Sequence, residues 1–148
     1  MPIIETKDYV FAPKATLIAG GVVSGVCLGT KKYLFFIPIS KLEGAGNYVT
    51  TTKYHIDGQS ITDGLQAMLT NAETTIADLE TKLLSLFNDW SLNKDEYAME
   101  IAALSEFDIK TGLFSSGIYY KTPNQKRRFA LSIGGNSTVV DFENFYGR

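Results

Sequence analysis

From Ser60 onward the apolar positions fall at Ile61, Leu65, Met68, Leu69, Ala72, Ile76, Leu79, Leu83, Leu86 and Phe87. Steps of three and four place them along one stripe of a helix. Ser60 is a good N-cap, and Asp63 holds the capping-box position where glutamate is more usual. Thr70-Asn71 can break the stretch. The pattern therefore predicts one long kinked helix or two helices, the second capped by Asn71 over residues 72–88 and closed by Asn88-Asp89. A further helix is predicted over residues 93–105, capped by Ser91 or Asn93. Tyr97, Ile101 and Leu104 would face inward, and Asp95, Glu96, Glu100 and Glu106 would face water.

On both sides of this block the period changes. Residues 16–28 and 32–39 are apolar and rich in β-branched and aromatic types, with Gly29-Thr30-Lys31 as the turn between two strands. Residues 48–56 alternate, with Tyr48, Thr50, Thr52, Tyr54 and Ile56 on one face, after a loop holding Gly44 and Gly46. Residues 107–112, 113–121 and 127–134 read as strands, and Thr122-Pro123-Asn124-Gln125 is the turn before the last. In the tail, Val139, Phe142, Phe145 and Tyr146 fit a short helix capped by Asn136 or Ser137 better than a strand. Strands, then helices, then strands argue an α+β fold rather than a doubly wound parallel one. The expectation is a twisted, mostly antiparallel sheet of five to seven strands, with two or three helices from residues 60–105 on one face. Residues 1–148 would form a single domain.

Composition changes little in this picture. Apolar residues make up 45% and charged residues 20% of 148, which is ordinary for a chain with a real core and excludes disorder throughout. Charge placement is more informative than the net value of −2. Residues 1–59 carry six lysines against four acids, residues 60–108 two against ten, and residues 109–148 six lysines and arginines against two. The helical middle is acidic and both flanks are basic. One cysteine, Cys27, rules out an intramolecular disulfide and a thiolate zinc site, and points to a reducing, cytoplasmic setting. Glu5, Lys7, Asp8 and Pro13 are not the start of a secretory signal. The longest uncharged run, 16 residues from Ala15 to Thr30, is short for a membrane span and contains four glycines.

Chemistry-bearing motifs are sparse. Gly20, Gly21, Gly25 and Gly29 suggest a phosphate loop, but Gly25 and Gly29 are too close, and Thr30 precedes Lys31 instead of following it. The following segment, Tyr33-Leu34-Phe35-Phe36-Ile37, reads as a strand where a dinucleotide fingerprint would open a helix. Bends or close packing in a hairpin explain the glycines better. His55, the single histidine, shares a strand face with Lys53 and sits at the rim. Cys27 lies in an apolar strand pattern and reads as a small buried hydrophobe. Glu96 and Glu100, one helical turn apart beside Asp89 and Asp95, read as a solvated helix face rather than a metal or acid–base pair. No catalytic residue, cofactor or metal is implied.

The feature that stands out is basic. Lys126-Arg127-Arg128 follows the Pro123-Asn124 turn, Lys121 ends the strand before it, and Tyr119 and Tyr120 lie just upstream. Brought together across a hairpin, these residues would form a cationic patch with an aromatic anchor, suited to an acidic protein surface. Lys31 and Lys32 make a smaller patch at another turn. Nucleic acid or another anionic ligand is compatible, although no recognised nucleic-acid motif accompanies the charges. Edge-strand cations that deter aggregation are the plainer explanation. The expected function is a non-enzymatic binding module (an adaptor, inhibitor or immunity-type protein) docking on a macromolecule. The alternative is a small-ligand binder or small enzyme with a pocket between sheet and helices, near residues 20–29 and His55.

Overall fold

A computed structural model of the chain describes residues 3–18, 22–40, 58–89, 97–111, 116–123 and 128–147. Among these residues, seven strands form one sheet, all neighbours antiparallel, flanked by three helices in an α+β arrangement. In chain order they are β1 (Val10–Ile18), β2 (Val22–Gly29), β3 (Tyr33–Ser40), α1 (Gly58–Thr70), α2 (Ile76–Asp89), β4 (Ala98–Glu100), β5 (Glu106–Lys110), β6 (Gly117–Lys121), β7 (Phe129–Ser132) and α3 (Asn136–Tyr146). Across the sheet the order is β4-β3-β2-β1-β7-β6-β5. The β5–β6–β7 meander joins the N-terminal strands through β1, where Leu17 pairs with Leu131.

Register sorts the side chains onto two faces. One face carries Leu17, Leu131, Ile118 and Ile109 in a row, with Phe129, Tyr120 and Phe107 in the next. α3 covers this face. The Tyr146 ring meets Phe107 edge-on at 5.1 Å, and Val139, Phe142 and Phe145 are buried beneath the helix. The other face carries Phe35 opposite Leu28, and α2 lies on it, stacking Phe87 on Phe35 at 6.0 Å. β3 is therefore covered on both sides, and Leu34, Phe35, Phe36 and Ile37 are all 0% exposed. A continuous apolar run is what a strand buried on both faces requires.

Several local features depart from the sequence expectations. β1 begins at Val10, and a register shift between Ala12 and Ala15 absorbs Pro13 and Lys14 as a bulge. A proline has no N–H for the ladder and is tolerated at such a place. The apolar stretch of residues 16–28 is thus split between β1 and β2. α1 starts at Gly58, so Ser60 lies inside the helix and is not its cap. The break at Thr70-Asn71 is real, but Thr75, not Asn71, caps the second helix. Its Oγ1 accepts from the Asp78 N–H at 3.1 Å, and Asp78 returns a carboxylate oxygen to the Thr75 N–H at 3.2 Å. Asn71 instead closes a turn, accepting the Glu73 N–H at 2.9 Å. For α3 the cap position is Gly135, without a side-chain bond, rather than Asn136 or Ser137.

Of the helix expected over residues 93–105, Tyr97 is helical, but the helix does not continue beyond it. Ala98–Glu100 pairs with β3 as β4, and Ile101–Ala103 makes a single 3-10 turn. The four-residue spacing of Tyr97 and Ile101 looked helical. The outer edge of β3 needs backbone partners, however, because that strand is dry on both faces and its N–H and C=O groups have no water to turn to. Glu100 therefore ends a strand instead of lying on a helix face, and Glu96 lies outside the described residues. The strand expected over residues 48–56, with His55, lies outside the described residues.

Candidate docking face

The face that α2 covers over β3 stays open over β5–β7 among the described residues. Asp108, Tyr119, Ala130 and Ile18 make one row across four strands. Asp108 is exposed, Tyr119 and Ala130 are half-buried, and Ile18 retains 49% of its surface. The next row holds Lys110, Gly117, Ser132 and Thr16, and on the other side Lys121 faces Glu106.

Two cations flank the Tyr119 ring. Lys110 Nζ lies 5.3 Å from the ring centroid and Arg128 Cζ 5.2 Å from it. Lys110 is opposite Gly117, two residues before Tyr119, whereas Arg128 precedes Phe129, the partner of Tyr120, and so lies alongside Lys121. The two cations therefore approach Tyr119 from opposite ends of the strand direction. Both are exposed, and Lys121 is half-buried. Contacts of this kind contribute about 0.5–1 kcal/mol at exposed sites. They also hold flexible side chains in place, so less freedom remains to be lost on binding.

The residues singled out from sequence are divided by this geometry. Tyr119, Lys121 and Arg128 come together on the open face. Tyr120 does not join them: it points to the opposite face, is 0% exposed, and packs edge-on against Phe129 at 5.6 Å. It is a core residue, because alternation along β6 puts adjacent tyrosines on opposite sides. Lys126 and Arg127 lie outside the described residues. Lys110 was missed, since only the β5–β6 register brings it to Tyr119.

The second basic turn has a structural occupation. Lys31 Nζ donates to the Phe145 carbonyl and lies 3.8 Å above the Phe145 ring, so it holds the C-terminal end of α3, where a cation is favoured. The Tyr146 hydroxyl lies 2.9 Å from the Thr30 carbonyl and 3.2 Å from the Tyr33 carbonyl, so its one proton is shared between them. Thr30 Oγ1 donates to Glu80 of α2 at 2.5 Å and accepts the Tyr33 N–H at 3.0 Å. Burial pushes the Tyr146 phenol well above its ordinary value of 10.0, with the nearby Cys27 and Glu80 adding to the shift. Cys27 is fully buried, and desolvation raises its thiol far above 9.0, the reverse of an activated nucleophile.

The glycines are filled in rather than hollow. A Cβ at Gly25 would collide with the Ile37 carbonyl oxygen, and one at Gly29 with the Tyr146 hydroxyl. Protein atoms occupy the space that a ligand at these two glycines would need. Gly20, Gly21 and His55 lie outside the described residues. Among the described residues, no helix is long and apolar enough to cross a membrane.

The chain matches no model of a known protein family, no curated protein and no solved structure.

Proposed function

We propose that this chain is a non-enzymatic interaction module that docks on an acidic protein through the open face of β5–β7, in the cytoplasm. One observation carries the proposal: Lys110 and Arg128 flank the ring of Tyr119 on an open face, with Lys121 alongside. Ring-held cations around an aromatic side chain have the composition of an interface anchor. Lys126 and Arg127 adjoin Arg128 in the chain and extend the positive run. Each exposed ion pair contributes only about 0.2–1 kcal/mol, so several must act together. The resulting contact weakens as salt screens it over a Debye length of about 10 Å at 0.1 M.

The test uses the full chain and its K126E/R127E/R128E variant as parallel baits in lysate of the source organism, with captured protein and nucleic acid both analysed at low and moderate salt. A stoichiometric protein held by the parent and lost by the variant supports the proposal. The variant's melting temperature should stay within about 4 °C of the parent's, the equivalent of ~1 kcal/mol in a chain of this size. A partner retained by the variant reduces the patch to an aggregation guard. Recovery of nucleic acid in place of protein overturns the choice of partner.

A further inference from the structure

We propose that a second copy of this chain pairs antiparallel with the edge of β5, joining two seven-stranded sheets into one. Among the described residues β5 has one strand neighbour, β6, and it ends the sheet. Its exposure alternates strictly: Glu106, Asp108 and Lys110 lie on the open face, and Phe107 and Ile109 are buried on the α3 side. Edge strands present unpaired backbone groups and template pairing with another chain unless something opposes it.

The charge pattern selects the register. In a two-fold antiparallel pair, residues that face each other must lie on the same side of the joined sheet, so the axis passes through a residue and not between residues. With the axis at Phe107, Glu106 would face Asp108 of the second copy twice, which is repulsive. With the axis at Asp108, Lys110 would face Glu106 twice, but the two Asp108 side chains would meet each other. Axes at Glu106 or Lys110 put like charges on the axis itself. With the axis at Ile109, Asp108 faces Lys110 of the second copy twice, Phe107 faces Thr111, and no like charges meet. Only this last register sets opposite charges against each other without opposing any like ones, with Glu106 left facing no charged residue. It also keeps each copy's α3 on the same side of the joined sheet. The ordinary edge guard is a charge without a partner; here Asp108 and Lys110 of β5 are complements of each other across the two-fold axis.

Sedimentation of the full chain over a range of concentrations tests this directly. The parent should show a reversible monomer–dimer equilibrium. K110E replaces two attractive cross-strand pairs with two repulsive ones and should weaken association at least about tenfold. D108K alone should do the same, and the double swap D108K/K110E should restore the dimer by reversing both charges. Circular dichroism and melting of each variant separate lost pairing from lost folding, and if K110E does not fold, D108K and the double swap carry the test. A parent that is monomeric at every concentration it tolerates overturns the proposal. A dimer that K110E leaves intact, or one that the double swap fails to regain, overturns it equally. The proposal stands apart from docking on an acidic protein, because its readout is the mass of the protein alone.

Discussion

Replacing Gly29 with alanine tests how α3 is held to the sheet. The added Cβ would fall on the Tyr146 hydroxyl, 3.0 Å from Tyr146 Cζ and 3.1 Å from Val10 Cγ2. Gly29 does not need a left-handed backbone, so space is the only obstacle to a side chain there. Overpacking of this kind costs about 1–3 kcal/mol. Displacing the hydroxyl also breaks its bond to the Thr30 carbonyl, costing roughly 1 kcal/mol more. Gly29→Ala should therefore destabilise by about 2–4 kcal/mol, lowering the melting temperature by roughly 6–12 °C. Tyr146→Phe alone removes the hydroxyl and should cost ~1–2 kcal/mol, because the Thr30 carbonyl loses that donor. In the double variant the colliding atom is absent and the hydrogen bond is lost only once. The combined loss should fall short of the sum by at least ~1 kcal/mol, outside the ~0.5 kcal/mol scatter of independent sites. Chemical denaturation of the four proteins, compared at equal m-value, measures this coupling. Additive losses would sink the account, as would a Gly29→Ala protein that melts with the parent, since either result means that Tyr146 does not sit over Gly29.

Two further predictions concern a cap and the alkaline side of the stability curve. Thr75→Ala removes the acceptor for the Asp78 N–H at the start of α2 and should cost ~1 kcal/mol in denaturant melts, while Thr75→Ser should recover most of it; equal loss in both variants would refute the cap. Cys27 and Tyr146 stay neutral in the fold well above their ordinary values of 9.0 and 10.0, so above those values the unfolded chain has released protons that the folded chain keeps. Their share of stability is full below about pH 9 and is lost as pH rises toward the folded values. Cys27→Ala should move the onset of that loss upward toward pH 10, as read from melting temperatures in a pH series, and an unchanged onset would exclude the thiol.

The fold class was legible because two periodicities sit in separate blocks. The helical stripe from Leu65 to Phe87 is read directly as α1 and α2, and its interruption at Thr70-Asn71 coincides with a real break. What failed was decided by partners distant in sequence. Tyr97, Ile101 and Leu104 carry a helical spacing, yet β3 draws Ala98 and Met99 into pairing with Phe35 and Leu34. No local pattern in residues 97–104 records that β3 is dry on both faces. Val10 and Ala12 were hidden because Pro13-Lys14 disturbs the alternation that their register with Gly29 and Cys27 would otherwise display. The site shows the same division. Lys121 and Arg128 were visible as a run of charge near a turn, while Lys110 required the pairing of β5 with β6, and Tyr120 was lost from the patch by the alternation of β6.

The two basic turns show why residue type alone does not identify a site. Lys31 and Arg128 each flank an aromatic ring near the end of a strand, and in the sequence both look like surface charge. Lys31, however, also donates to a helix-terminal carbonyl, beside a tyrosine hydroxyl that grips the same turn. Its charge is satisfied inside the molecule, so a partner that recruited it would have to release the end of α3. Arg128 and Lys110 are held differently. A ring face orients a cation without matching its charge, so the charge remains available to an approaching acid. Ordering the side chains in advance while leaving their charge available favours association, and it would add little to the stability of the fold itself. The open half of the sheet is therefore the better candidate for recognition, and the β2–β3 turn belongs to the architecture.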